Sequence, residues 1–142
     1  MHVPFTRGVV VVAFLASACQ MSAGDRAVSG ATAPAPGTRL TADQIRTDLV
    51  GKTATGRTSS GGDYAFYVAP DGTFRLRELT GGGRSSDGTY RITSDDQFCA
   101  TYTSLGRTFC YLIYKDGKTY RSVLDGQVAT TYTVTPGNPQ NL

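Results

Sequence analysis

From Lys52 to Val134, hydrophobic and polar residues alternate with a period of two. The pattern predicts about eight short strands, over residues 52–57, 63–69, 73–79, 88–93, 97–103, 107–114, 118–124 and 127–134, each bounded by Gly, Asp, Ser or Pro. The connections are short, so strands next to one another in sequence are expected to be antiparallel neighbours in space. Ahead of them, residues 40–50 (LTADQIRTDLV) follow a helical spacing instead, with Ile45 and Leu49 on one side and Ala42 a further candidate for it. Thr41 and Gln44 have the spacing of a capping box, and Leu40 and Ile45 that of a hydrophobic staple. So short a helix cannot stand alone, and the simplest place for it is a lid over one end of a barrel.

Turn chemistry sets the register. In Ala69-Pro70-Asp71-Gly72-Thr73, Pro suits the first corner of a type I turn and Gly the left-handed position after it, which makes a three-residue loop. Val68 then pairs with Phe74, Phe66 with Leu76 and Tyr64 with Glu78, and Arg75 and Arg77 take the other face; a two-residue loop would set Phe66 and Val68 against the arginines. The same logic, carried through Lys115-Asp116-Gly117 and the two-residue turn Asp125-Gly126, collects Phe98, Ala100, Phe109, Tyr111, Ile113, Val123, Val128, Tyr132 and Val134 on the inner face. Cys99, Cys110, Thr101, Thr108, Leu112, Tyr114 and Tyr120 fall outside. Arg121 is turned inward, opposite Thr130 and beside Tyr111. A buried arginine needs a carboxylate or an acidic ligand, which makes Arg121, Tyr111 and Tyr132 candidate ligand-binding residues. A slip of register, or a side chain at the barrel end reaching water, is the plainer explanation of Arg121. The fold class expected is all-β, a small antiparallel up-and-down barrel of about eight short strands preceded by one helix, because closure removes the exposed edges of an open sheet. A flatter sandwich with the helix across it is the alternative.

The start of the chain reads differently. A short segment with Arg7, the apolar run GVVVVAFL at 8–15 and the small residues Ala16-Ser17-Ala18 form a secretory signal, too short to span a bilayer. Cys19 comes next, and LASAC at 15–19 resembles the lipobox of bacterial lipoproteins, in which the cysteine becomes the lipidated N-terminus. The lipobox prefers Leu three residues before the Cys, where this chain has Ala16, so ordinary cleavage after Ala18 stays open. An exported chain with Cys 3 leaves one cysteine over once Cys99 and Cys110 pair, and lipidation gives Cys19 a use. Residues 20–38, rich in Ala, Ser, Gly and Pro, have the composition of a flexible tether, about 24 Å in root-mean-square reach. The organisation expected is therefore a signal peptide at 1–18, a lipid-anchored tether at 19–38, a barrel domain at 39–135 and a tail at 136–142. Lipidation would hold the protein at the outer membrane, facing the periplasm or the surface; ordinary cleavage would leave it soluble in the periplasm or secreted.

Composition narrows the chemistry. The formal charge of +3 is small and its arginines are dispersed, so no nucleic-acid footprint is present. The single histidine, His2, lies in the signal segment. Without imidazole the mature chain has no Ser-His or Cys-His nucleophile pair and no His-ligated zinc. Glu78 is the sole Glu, the adjacent Asp95-Asp96 read as solvated turn residues, and no calcium-loop pattern occurs. The stretch from Gly81 to Gly88 leads into a strand rather than a helix, so it is no phosphate cradle but a long hairpin loop at the barrel mouth, the place to expect a partner. If the 97–114 hairpin turns about Ser104 and Leu105, Cys99 and Cys110 lie opposite each other, and their twelve-residue loop is worth about 3 kcal/mol of chain entropy. Cys-x-x-Cys spacing is absent, so the pair is structural. No catalytic residue, metal site or cofactor is expected.

From Leu40 onward, the layout LTADQIRTDLVGKT, YAFYVAPDGTFR, SSDGTYRI, QFC, FCYLIYKDGK and TVTPGNP resembles a family of small exported proteobacterial proteins of unassigned function, with Tyr90 where a Trp would be expected. The resemblance implies a lipocalin-like fold, a helix followed by a short-stranded barrel with a paired-cysteine hairpin; its motifs are turn signatures and imply no activity. The expectation is a non-enzymatic cell-envelope lipoprotein, on the membrane through its lipid anchor, whose barrel mouth takes a protein partner or a small apolar ligand. The many Phe and Tyr of the inner face argue for a filled core and so for a surface-binding role. The alternative is an inhibitor of an exported protease or lysozyme, inserting a loop or the 20–38 segment into an active site.

Overall fold

In the computed structural model, residues 35–142 are described. The predicted signal peptide at 1–18, Cys19 and most of the predicted tether lie outside the described residues. Among those described, strand β1 (Thr38–Arg39) leads into helix α1 (Ala42–Leu49), which is followed by β2 (Lys52–Thr58), β3 (Asp63–Val68), β4 (Thr73–Glu78), β5 (Ser85–Ile92), β6 (Phe98–Tyr102), β7 (Arg107–Asp116), β8 (Thr119–Leu124) and β9 (Gln127–Pro136). From β2 onward each strand pairs antiparallel with the next, and β9 returns to β2 from Lys52↔Pro136 to Thr58↔Thr130. The result is a closed eight-stranded up-and-down barrel with no free ladder between first and last strand.

The hairpin of β3 and β4 has the register expected from its turn. Val68 faces Phe74, Phe66 faces Leu76 and Tyr64 faces Glu78, with Gly72 in the left-handed region at φ 88. Cys99 likewise faces Cys110 and is bonded to it, with a Cα–Cα distance of 3.9 Å.

The helix is held from both sides of its start. The Thr41 hydroxyl accepts from the Gln44 backbone N–H at 3.4 Å, and the Gln44 side chain accepts from the Thr41 N–H at 2.9 Å, completing the capping box. Asp96, expected to be a solvated turn residue, instead accepts a hydrogen bond from the Ala42 N–H at 2.6 Å, and the Asp95 carbonyl accepts from Arg39 at 2.8 Å. A carboxylate at a helix N-terminus meets the positive end of the helix dipole. Ile45, Leu49 and Leu40 are buried, in one core with Phe98, Ile113 and Tyr120, so the helix closes one end of the barrel as its spacing predicted.

Strand β8 departs from expectation. The loop before it is Gly117-Lys118, two residues rather than three, so Asp116 faces Thr119 and Tyr114 faces Arg121. An odd shift turns every side chain to the opposite face. Tyr120 therefore points inward and stacks on Tyr132, with ring centroids 5.6 Å apart. Val123, expected inside, lies outside, where it joins Ala35 and Tyr114 in a small second cluster edged by Leu112 and Val128. The turn at Asp125-Gly126 is the two-residue one expected, and Val123 faces Val128 across it. One step further the register slips, so that Ser122 faces Thr130 and Ala129 is left as a bulge. The bulge restores Tyr132 and Val134 to the interior, while Val128, also expected inside, lies outside with Val123.

Candidate functional site

The inner aromatics do not fill the barrel. Phe66 stacks on Phe74 at 4.8 Å, Phe74 meets Tyr102 edge-on at 5.0 Å, and Phe98 stacks on Tyr90 at 5.2 Å. These rings, joined by an edge contact of Phe66 with Phe98 at 6.1 Å, gather on β3 to β6. The opposite wall carries small inward residues, Ala54 and Gly56 on β2, Ser122 on β8 and Thr130 on β9. Between the two walls is a cavity of about 570 Å³. The filled core expected from the count of Phe and Tyr is thus corrected: aromatic rings satisfy one another side by side, and residue identity alone does not reveal that.

The cavity has three levels. Its floor is apolar, made by Leu49 of the helix with Val68, Phe98, Ile113 and Val134. Halfway up, the tyrosines 64, 102, 111 and 132 line it together with Ser122 and Thr130. At the far end Thr58, Ser60, Asp63, Glu78, Thr80 and Arg84 form a polar mouth. There Asp63 pairs with Arg57 at 2.8 Å and Glu78 with Arg84 at 3.0 Å. Leu79 and Leu105, both well exposed, sit in the loops at the same end.

Burial raises the Tyr64 hydroxyl to about 12, against the opposing effect of Thr130 beside it. Burial likewise pushes up the Tyr111 and Tyr132 hydroxyls, Tyr132 in spite of a contact with Ser122 at 3.4 Å. All three remain neutral hydrogen-bond donors over any physiological pH. Lys52 also borders the cavity, and its Nζ donates to the Thr47 carbonyl at 2.8 Å, at the negative end of the helix dipole.

Of the three ligand-binding candidates, Tyr111 and Tyr132 line the cavity and Arg121 does not. Arg121 lies on the outer face, its guanidinium 3.3 Å from the Pro36 carbonyl and 3.7 Å from Asp116. The two-residue loop before β8 is the cause. Cys99 and Cys110 alternate with the inward Phe98, Ala100, Phe109 and Tyr111 and so face away from the cavity. Tyr120, unforeseen inside, donates to Asp48 Oδ2 at 3.0 Å, and Lys115 donates to the same oxygen at 2.8 Å. Burial disfavours the charge on Asp48, but the bonds from Lys115 and Tyr120 outweigh it and hold the carboxyl below its ordinary 3.8. That cluster ties the helix to the barrel at the closed end.

Two further inner residues were legible in the strand alternation: Tyr102 shares the parity of Phe98 and Ala100, and Tyr64 that of Phe66. Comparison with protein-family models, with curated proteins and with solved structures finds no match for this chain.

Proposed function

We propose that this protein is a non-enzymatic binder of a small, largely apolar molecule, taken in through the open mouth of the barrel and held inside it. The observation that carries this reading is the cavity itself. At about 570 Å³ it falls within the roughly 300–1,000 Å³ of small-molecule sites, and a mainly apolar wall with a few convergent polar groups is the usual make-up of such sites. The export signal and Cys19 extend the reading to a cell-envelope lipoprotein that presents this barrel on a tether; an acyl adduct on Cys19 in the intact mass of membrane-extracted protein would support that extension, and a chain beginning at Cys19 without one would oppose it.

The binding reading is tested by fluorescence titration with phenylnaphthylamine, a neutral apolar probe that brightens when desolvated. The native protein should bind it saturably, and Ala54→Leu or Ser122→Leu, each filling the small-residue wall, should weaken it at least tenfold with the thermal transition retained. Absence of saturable binding, or plugged variants that bind as the native protein does, would overturn the reading.

A further inference from the structure

Resting on that reading, we infer that the ligand is an uncharged amphiphile, whose hydrocarbon part lies on the apolar floor and whose hydrogen-bond acceptor, an ester or amide carbonyl, meets the tyrosine hydroxyls at mid-depth.

The tyrosines reach that level from two walls. On one side the register sets Tyr120 against Tyr132, Tyr132 against Gly56, and Gly56 against Tyr64. Gly56 is required there, since a Cβ on it would stand 2.6 Å from the Cβ of Tyr132 and 2.1 Å from the Thr131 carbonyl oxygen. On the other side β6 and β7 bring Tyr102 and Tyr111. Tyr120 is turned down to Asp48, and the other four line the cavity.

Charge selects against an ionised guest. Among the described residues that line the cavity, the ionisable side chains other than tyrosine are Lys52, Asp63, Glu78 and Arg84. Lys52 is bound to the Thr47 carbonyl, and the others form the ion pairs of the mouth. A carboxylate at mid-depth would therefore lose its water and gain neutral donors but no cation beside it. A carbonyl loses far less water and gains the same donors. The floor below, from Leu49 to Val134, is apolar apart from Lys52, whereas the mouth accepts a hydrophilic end.

Matched guests separate this inference from the reading beneath it. Methyl laurate and laurate share one chain and differ in charge, and each is used to displace phenylnaphthylamine at about pH 8, where the acid is ionised. The ester should displace the probe at least tenfold more tightly than the acid. Tyr111→Phe and Tyr64→Phe keep ring and volume and remove one donor each; they should weaken the ester roughly two- to tenfold, a larger loss than either causes for the probe. Laurate binding as well as its ester, or tyrosine variants that bind the ester unchanged, would overturn the inference while leaving the binder reading standing. Failure of phenylnaphthylamine itself to bind would overturn both.

Discussion

The two ends of the barrel are built from the same strands and differ in almost every other respect. At the closed end Leu40, Ile45 and Leu49 are buried against the strands, and Asp48 is gripped by Lys115 and Tyr120. At the mouth the loops are glycine-rich, Leu79 and Leu105 are exposed, and the ion pairs involve arginine side chains that are 66% and 80% exposed. Apolar burial stabilises in proportion to area, while exposed ion pairs contribute little. The closed end therefore supplies stability and the mouth supplies access, and substitutions at the two should separate folding from binding.

The largest effect is expected from Ile45→Ala. Ile45 is fully buried, so the change should cost about 2–5 kcal/mol in urea unfolding, with phenylnaphthylamine affinity within twofold of native where the variant is folded. A large loss of affinity would show that the lid also shapes the site. Next comes the disulfide, which belongs to neither end. Replacing both Cys99 and Cys110 by Ser should lower stability by about 3 kcal/mol and leave binding intact, because the pair faces away from the cavity. Asp48→Asn should cost about 1 kcal/mol. Asp48 lies below its ordinary 3.8 and Lys115, bonded to Asp48, above its ordinary 10.5. The contribution of the cluster is thus full between those values; it is lost as pH falls through the depressed Asp48 value or rises through the elevated Lys115 value. The gap between native protein and Asp48→Asn should accordingly be flat near neutrality and shrink below about pH 4. Buried phenols add an alkaline limb. With Tyr64 raised to about 12, the unfolded chain releases protons before the folded one, so stability should fall from about pH 10 upward, read as phenolate absorbance appearing together with unfolding. The smallest change in stability is expected from Arg84→Ala at the mouth, under about 0.5 kcal/mol, with a measurable change in the rate of probe uptake. Equal losses of stability from Arg84→Ala and Ile45→Ala would erase the distinction between the ends.

Where local chemistry left one option, the fold was legible in the sequence. At Pro70-Asp71-Gly72 the apolar faces of the flanking strands select the three-residue loop, and β3 and β4 pair as it dictates. Thr41 and Gln44 specify the helix start, and the cysteine spacing specifies the hairpin from β6 to β7. Around Gly117 two loops fit. A three-residue loop would set Gly117 last, whereas in the structure it takes the first corner of a two-residue loop at φ 60, the conformation of a type II′ turn. Nothing local distinguishes these, and the parity of Arg121 hung on the choice. The bulge at Ala129 is equally silent, since Ala129, Thr130 and Thr131 are all acceptable on either face. The cavity was beyond the pattern for a different reason. Alternation tells which residues face inward, but whether rings meet across a barrel or stack along its wall depends on barrel shear and on glycines such as Gly88, where a Cβ would stand 2.8 Å from the Phe74 ring.

The two residues of β1 bear on association between molecules. Strand β6 begins at Phe98, opposite Tyr111, while β7 runs on to Asp116. Beyond Phe98 that side of β7 would be a row of unpaired backbone groups, a template for a strand from another molecule. Thr38 and Arg39 occupy it, and the Leu40 N–H completes the row on the Ile113 carbonyl at 2.8 Å. The segment just before the helix thus acts as a guard on a lateral edge that barrel closure does not seal, and a chain trimmed to begin at Leu40 would keep its cavity but acquire a sticky side.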